Sequence, residues 1–301
     1  GKYFVEIIRK LDSLKVNLSL VADNMLRIEA DRSDITLNMM DLDDYPELEF
    51  SEKVKSIKIN VRTLKSLIRQ TAFATSSIEN RPILTGVNFK IDGKKLRAIA
   101  TDSYRLSQKE IDLEDSYEAM NIIIPGKSLD ELIKVLENNN DLVEMHFDHS
   151  KILFKYGNIL FQSRLLEGNY PETSKLIPTE FPIVIKFNKE ALTTAVERAS
   201  LLSSRDGNNA IVKLELRQDN IVEISSNSPE IGKILEEVYP VDQLEGTVLK
   251  IAFSSKYFLD ALKVFNSSEV TVNFTGEIRP FIITGEYDED MLQLILPVRT
   301  E

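Results

Sequence analysis

The chain repeats itself, and this internal repeat constrains its fold more than any other feature of the sequence. Three segments, residues 1–11, 126–136 and 256–265, align at offsets of about 125 to 130 residues. In the first, Phe4, Ile7, Ile8 and Leu11 place apolar side chains at i, i+3, i+4 and i+7, and the other two follow the same pattern. This spacing predicts one amphipathic helix in each copy.

A second helix type occurs twice, at residues 60–76 and 188–204, with Leu64 and Leu192 in matching apolar places. Alternating, β-branched segments surround the helices and end in turn signals, as at residues 92–93 and 219–220, which predicts antiparallel hairpins. The tripeptide Tyr-Pro-Glu also recurs, at residues 45–47 and 170–172. We therefore predict an α+β fold of repeated domains, each with two helices packed on antiparallel sheets.

The repeat unit sets the expected domain boundaries. Complete copies of about 125 residues span residues 54–179 and 180–301, and residues 1–53 supply the second half of a further copy. A full third copy would need about 70 more residues before Gly1, so we expect a longer parent protein. Residues 176–182, which contain Pro178 and Pro182, are the predicted joint between the complete copies.

Basic residues recur on the predicted helices. The chain has 37 Lys and Arg against 48 Asp and Glu, a net charge of −11, which argues against a surface that coats nucleic acid or an anionic membrane everywhere. Two basic residues on a single helix are explained by an ordinary solvent-exposed surface. The repetition of basic residues at matching positions of the copies instead indicates a helix face that meets a polyanion. The residues are Lys2, Arg9, Arg62, Lys65, Arg69, Lys127, Lys134, Lys256 and Lys263.

Several classes of protein are excluded by what the sequence lacks. It contains no Cys, no Gly-rich phosphate loop, no nucleophile elbow and no HExxH segment. No run approaches the roughly 20 apolar residues of a bilayer-spanning helix, and the N-terminal residues do not resemble a signal peptide, so we expect a cytoplasmic protein without a membrane partner. The two histidines, His146 and His149, are expected on a surface hairpin rather than in a metal site. We assign no catalytic residue, metal or cofactor.

Four segments together carry a family resemblance. Residues 81–87 (RPILTGV), 100–106 (ATDSYRL), 166–171 (LEGNYP) and 294–299 (LILPVR) resemble the bacterial DNA sliding clamp, the beta subunit of the replicative DNA polymerase III. The resemblance covers all 301 residues. It implies clamp domains arranged as an arc of a ring, helices facing a central channel, and two chains joined head to tail as a homodimer. The implied partners are duplex DNA, bound without sequence preference, the replicative polymerase, the clamp loader and other proteins with short Leu- and Phe-containing motifs.

The resemblance also implies a site for partner peptides between the second and third domains. Tyr104 stands where His is frequent in the family, and Pro297-Val298 where Pro-Met or Pro-Ile is frequent, so the side-chain fit is expected to differ. Plain core packing is the alternative explanation for Leu84 and Leu106. The implied residues are Leu84, Thr101, Ser103, Tyr104, Arg105, Leu106, Pro171, Lys175, Leu176, Tyr257, Pro280, Leu296, Pro297, Val298 and Arg299.

Three functions remain open from the sequence. The leading one is a non-enzymatic processivity factor that encircles duplex DNA, slides along it and tethers polymerase. The second is an α+β protein that binds or hydrolyses a small molecule in a cavity between helices and sheets. The third is a repeat scaffold that binds proteins without DNA. A basic helix surface shared by several copies favours the first function over the other two.

Overall fold

The structure, a computed structural model, describes residues 1–41, 43, 56–78, 80–203, 205–206, 209–217, 219–242 and 248–299. The Tyr-Pro-Glu copy at residues 45–47 lies outside these ranges. The chain divides into two compact units, Gly1–Phe50 and Ser51–Glu301. None of the helices in the described ranges is long and apolar enough to cross a bilayer.

The first unit contains the helix predicted at residues 1–11. It is α1 (Lys2–Lys10), followed by an antiparallel sheet of β1 (Asn17–Ala22), β2 (Met25–Ala30) and β3 (Ser33–Asn38). Arg9 and Lys10 lie in the last turn of α1, where positive charge is favourable beside the unpaired carbonyl groups. Ile28 and Ala30 are buried in the sheet.

The second unit alternates helices and antiparallel strands, as the repeat predicts. In chain order it contains β4 (Ile57–Asn60), α2 (Val61–Thr71), β5 (Gly86–Thr101), β6 (Arg105–Pro125), α3 (Gly126–Val135), β7 (Leu142–Phe147), β8 (Lys151–Tyr156), β9 (Ile159–Arg164), β10 (Ile183–Asn188), α4 (Lys189–Ser200), β11 (Arg205–Asp206), β12 (Asn209–Leu216), β13 (Val222–Ser228), β14 (Gly232–Val238), β15 (Leu249–Ser254), α5 (Ser255–Lys263), β16 (Glu269–Phe274), β17 (Phe281–Gly285) and β18 (Met291–Ile295). The predicted α+β class is confirmed.

Side-chain caps precede α2 and α4, whereas α1 and α3 have no side-chain cap. The Asn60 side chain accepts a hydrogen bond from the Arg62 N–H at 2.9 Å, and Asn188 accepts one from the Ala191 N–H at 3.0 Å, so α2 and α4 begin with the same residue type. Of the two predicted turns, residues 219–220 connect β12 to β13. Residues 92–93 instead fall at a double register shift between β5 and β6, where Gly93 has a φ of 58°.

Two apolar cores lie beneath the helices. One packs α2 and α3 on β4–β8 through residues such as Leu64, Leu129 and Phe154. The other packs α4 and α5 on β12–β18 and contains stacked Phe253 and Phe258, whose ring centroids are 4.6 Å apart. Buried aromatic rings such as these contribute strongly to the free energy of folding.

One six-stranded sheet continues past the predicted joint at residues 176–182. Its order is β10-β16-β17-β18-β6-β5, and β18 pairs antiparallel with β6 from Met291 opposite Lys109 to Ile295 opposite Arg105. A third apolar cluster, which includes Leu106 and Leu294, lies at this pairing. The two complete repeats are therefore joined by backbone hydrogen bonds as well as by the connecting chain.

His146 corrects one prediction. It is 4% exposed within β7, with its Nε2 3.4 Å from Glu144 Oε2, whereas His149 is exposed in the following turn. A surface position is therefore wrong for His146, because the turn begins only at Asp148 and β7 is a central strand paired with both β4 and β8. Within the described ranges, no group of three or more His, Asp and Glu could hold a metal ion.

Asp288, 2% exposed, organises a buried polar cluster near β18. It accepts hydrogen bonds from the Asn266 N–H at 2.9 Å and the Ser267 N–H at 3.0 Å, and also from both of their side chains. Burial alone would raise the pKa of Asp288, but hydrogen bonds from Ser267 and Asn266 outweigh it and hold the pKa below its usual value. The carboxylate therefore stabilises the fold above about pH 4, and this contribution is lost as the pH falls through the depressed pKa.

We expect Asp288→Asn to lower the free energy of unfolding by about 1–3 kcal/mol at pH 7. The NH2 group of the new amide would face the hydrogen-bond donors of Asn266 and Ser267, which now bind the carboxylate. The difference from the unsubstituted protein should shrink as the pH is lowered below about 4. Urea unfolding at several pH values measures it, with Asp115→Asn as the matched exposed control. If the difference in unfolding free energy does not depend on pH, the stabilising role assigned to the ionised Asp288 carboxylate would be contradicted.

Candidate partner-binding groove and cationic helix face

The turn between β5 and β6 is fixed by its own side chains. Thr101 Oγ1 accepts a hydrogen bond from the Ser103 N–H at 3.2 Å, and Asp102 Oδ1 accepts from the N–H groups of Tyr104 at 2.9 Å and Arg105 at 3.0 Å. Ser103 has a φ of 80°, in the left-handed region that non-glycine residues rarely adopt. The turn therefore presents the exposed Tyr104 from a rigid base.

Arg105 lies under this turn, 10% exposed, with its guanidinium bound in three directions. It donates to Asp102 Oδ2 at 3.1 Å, to Asp260 Oδ2 of α5 at 2.9 Å and to the carbonyl of Phe73 at 2.9 Å. The guanidinium also lies 4.6 Å from the ring centroid of Tyr257 and 5.3 Å from that of Phe73. Arg105 thus connects the turn to the segment that follows α2 and to α5.

The C-terminal segment is held beside the turn. The Leu296 N–H donates to the Tyr104 carbonyl at 2.9 Å, and the Val298 N–H donates to the Ala252 carbonyl at 2.7 Å. The Tyr104 ring stacks on Tyr257 with centroids 6.4 Å apart. The predicted residues Tyr104, Arg105, Tyr257, Leu296 and Val298 are therefore neighbours in space.

Two cavities share Leu176 as a lining residue, and we call them together the junction groove. The first, about 530 Å³, includes five predicted residues: Leu84, Thr101, Ser103, Pro171 and Leu176. Its other lining residues are Arg81, Pro82, Ile83, Glu167 and Thr173. Sequence reasoning missed these five, although all but Thr173 lie inside the segments 81–87 and 166–171 that carry the family resemblance.

The second cavity of the groove, about 920 Å³, lies between residues 175–182 and the β16–β17 connection. It includes the predicted residues Lys175, Leu176 and Pro280, together with Pro178, Thr179, Glu180, Phe181, Pro182, Thr275 and Arg279. Leu176, which lines both cavities, is 53% exposed. Eight predicted residues do not line either of these two cavities: Tyr104, Arg105, Leu106, Tyr257, Leu296, Pro297, Val298 and Arg299.

Part of the predicted set packs in the third apolar cluster. Leu84, Leu106 and Leu296 belong to the third apolar cluster, with Leu106 fully buried. In the same cluster, the Tyr170 hydroxyl accepts a hydrogen bond from the Thr101 N–H at 3.1 Å, and burial raises the Tyr170 pKa well above its usual range. Core packing therefore describes Leu106, whereas Leu84 both packs in the cluster and lines a cavity.

Gly168 shapes the connection that leads to Tyr170. Its φ is 125°, and a Cβ added there would lie 2.9 Å from Ile83 Cδ1. The positive φ favours glycine, whereas the Ile83 contact is with the end of a side chain that can shift. The backbone conformation thus accounts for the glycine within the segment 166–171.

The predicted basic residues have different environments. Lys2 and Arg9 are exposed on α1 of the first unit. In the second unit, Lys127, Lys134 and Lys256 are exposed on α3 and α5, and Lys134 pairs with Glu131 at 2.6 Å. Four others line a cavity of about 640 Å³ between α2 and α5: Arg62, Lys65, Arg69 and Lys263.

Lys65 differs from the other basic residues because it is only 7% exposed. Its Nζ donates to the Leu136 carbonyl at 2.7 Å, which ties α2 to the end of α3. Burial, followed by the nearby charge of Arg69, lowers the Lys65 pKa. Its ammonium group therefore stabilises the helix pair and offers little surface to a ligand.

Comparison with known proteins agrees with this architecture. Models of the DNA polymerase III beta subunit match the chain with the N-terminal domain at residues 1–49, the central domain at 58–172 and the C-terminal domain at 174–299. The chain is 46% identical over 301 residues to the beta sliding clamp of Bacillus subtilis, covering 100% of this chain and 79% of that protein. It is 44% identical over 300 residues to the beta sliding clamp of Staphylococcus aureus, again covering 100% of this chain and 79% of that protein.

A solved structure gives the same result. The crystal structure of the sliding clamp from Bacillus subtilis superposes with a TM-score of 0.92 at 46% sequence identity, covering 100% of this chain and 79% of that one. Matching domain models, sequence identity and fold all extend along the whole chain. The chain therefore belongs to the family of bacterial beta sliding clamps, the beta subunits of DNA polymerase III.

Proposed function

We propose that this chain is the processivity clamp of the replicative DNA polymerase: a ring that encircles duplex DNA, slides along it and tethers the polymerase. Its membership of the beta sliding clamp family along its whole length carries this proposal. The ring is a homodimer in the full-length protein, and the domains span residues 1–53, 54–179 and 180–301. We further propose that it works in the cytoplasm.

The junction groove is the proposed site for partner proteins, including the polymerase and the clamp loader. Its two cavities on either side of Leu176 suit a short peptide with Leu and Phe anchors. The polar groups at its edge, such as Arg81, Ser103 and Lys175, would orient the peptide backbone. A Pseudomonas aeruginosa sliding clamp, 25% identical with a TM-score of 0.89, has been solved bound to griselimycin.

The predicted basic helix residues, apart from the buried Lys65, are the proposed DNA-facing set. Contacts from Lys and Arg to phosphates carry no base information, so they hold a duplex without fixing its sequence or position. Because the chain as a whole carries a net charge of −11, the residues outside this basic set are acidic on balance, which disfavours DNA on other surfaces. Encirclement and tethering require no bond to be made or broken, and we assign the chain no catalytic residue and no cofactor.

Retention on circular DNA tests this function. The full-length protein, loaded by its clamp loader onto a nicked plasmid, should stay bound at a salt concentration that screens phosphate contacts, because only topology then holds it. Cutting the plasmid once should release it, since a ring slides off an end. Gel filtration of labelled protein with the plasmid measures both states. Equal retention on circular and linear DNA would show a conventional binding protein instead.

A further inference from the structure

A separate cavity of the second unit opens at the edge of β6. Its volume is about 640 Å³, within the roughly 300–1,000 Å³ of ligand clefts, and its lining comes from residues 120–123, 147–149 and 165–168. Successive side chains of a strand point to opposite faces, so a cavity that touches all four residues from Met120 to Ile123 lies at the edge of the strand. We call this cavity the β6-edge pocket.

The edge of β6 in this pocket carries unpaired backbone groups. The Ile123 carbonyl accepts a hydrogen bond from the Leu166 N–H at 2.9 Å, so the backbone groups of Ile123 point away from β5, the strand that pairs with β6 here. Because the backbone direction alternates along an antiparallel strand, the N–H and carbonyl groups of Asn121 also point away from β5. Within the described ranges, neither group of Asn121 has a hydrogen-bond partner on that side. Such an edge can bind a further strand.

The walls of the β6-edge pocket are largely apolar and already fixed. Phe147 and Leu165 pack against the apolar core beneath α2 and α3. The Leu165 N–H donates to the Ser150 carbonyl at 2.8 Å, and Asp148 Oδ1 accepts from the Lys151 N–H at 2.8 Å. A strand that binds here would therefore meet a preorganised surface, and little of the protein would have to become ordered.

Glu167 connects the β6-edge pocket to the junction groove. It lines both the pocket and the smaller cavity of the groove, so a chain that leaves the groove at Glu167 enters the pocket. Glu167 is exposed, and in the part of the chain that the structure describes no basic nitrogen lies within 4.0 Å of its carboxylate. A Lys or Arg of a bound chain would give this carboxylate a partner.

We propose that the β6-edge pocket is a second docking site for partner proteins, which receives the extended segment that adjoins their Leu- and Phe-containing motif. A basic residue of this segment pairs with Glu167, its backbone bonds to Asn121 as an added β-strand, and an apolar side chain fills the pocket. The main-chain bonds supply affinity, whereas Glu167 and the pocket select a basic residue close to an apolar one. The inference rests on the proposed function of the junction groove and extends that site across Glu167.

Peptides of two lengths test this site in the full-length protein. One contains the motif alone, and the others extend it at one end or the other by about six residues, the length of an ordinary strand, including a Lys and a Leu. One of the extended peptides should bind about tenfold more tightly than the motif alone, as measured by fluorescence anisotropy.

A proline substitution identifies the edge that is used. Asn121→Pro removes the outward N–H of an exposed residue without breaking a bond between β5 and β6, so it should abolish the gain from the extension and leave the affinity of the motif peptide unchanged. Val184→Pro is the matched control. It removes an outward N–H from the edge strand β10, outside the groove and the pocket, and should preserve the gain. Thermal melting confirms that both variants fold.

Hydrogen exchange of the Asn121 amide needs no substitution. The extended peptide should slow this exchange about tenfold or more, whereas the motif peptide should not. Slow exchange in the free protein would overturn the proposal, because another segment of the chain or a second copy would already cover the edge. No gain from either extension, or a gain that survives Asn121→Pro in a folded protein, would also overturn it. Failure of the motif peptide itself to bind would instead count against the junction groove and the proposed function.

Discussion

Leu176→Asp is expected to lower the affinity of a Leu- and Phe-containing partner peptide by about a hundredfold or more, or roughly 3 kcal/mol. Leu176 lines both cavities of the junction groove, so a peptide that fills them must cover it. A carboxylate there would lose its hydration water under the peptide, and an apolar Leu or Phe anchor would offer it no partner. In the free protein Leu176 is 53% exposed, so the new carboxylate stays hydrated and the fold should be unaffected.

Isothermal titration of the peptide against both proteins measures this loss, with circular dichroism as the check on folding. Leu201→Asp is the matched control, since Leu201 is 75% exposed and does not line the groove. It should bind the peptide with unchanged affinity. An equally small effect of both substitutions, in folded proteins, would place the peptide site elsewhere.

Arg105→Ala should lower the free energy of unfolding by about 2–4 kcal/mol, because it leaves the partly buried Asp102 without its cation and Asp260 with only Lys263 at 4.0 Å. Peptide affinity should fall too, since the turn that presents Tyr104 loses its anchor on α5. Arg105→Lys should give an intermediate result, because one ammonium group cannot reach Asp102, Asp260 and the Phe73 carbonyl together.

Urea unfolding and peptide titration on the same samples separate the two effects of Arg105. Arg164→Ala, at an exposed position on β9, is the matched control and should change neither quantity beyond about 0.5 kcal/mol. If Arg105→Ala lowers stability but leaves peptide affinity unchanged, the contacts of Arg105 support the fold but not the groove.

Periodicity predicted the helices correctly because the apolar residues that a helix buries lie within a few positions of one another in the sequence. The matching caps at Asn60 and Asn188 have the same cause, since each satisfies the N–H groups of its own helix. The antiparallel class followed from alternation and turn residues in the same way. These parts of the fold depend on residues within a few positions of one another.

Contacts between distant segments could not be predicted in this way. Arg105 reaches Asp260, 155 residues later, and Lys65 reaches the Leu136 carbonyl, 71 residues later. No spacing rule connects such pairs, so Lys65 resembled the other basic residues of the helices until its environment was known. Asp260 had no signal of its own, because an aspartate on a helix is ordinary in a chain with 48 acidic residues.

The pairing of β18 with β6 has a consequence for how the protein folds during its synthesis on the ribosome. Gln293 of β18 binds Ser107 of β6, 186 residues earlier in the chain. Until β18 has been synthesised, the edge of β6 that pairs with it stays unpaired. An unpaired strand edge can form hydrogen bonds with other chains and so promote aggregation. We expect newly made chains interrupted before β18 to depend on chaperones, and the emergence of the final strand to end that dependence.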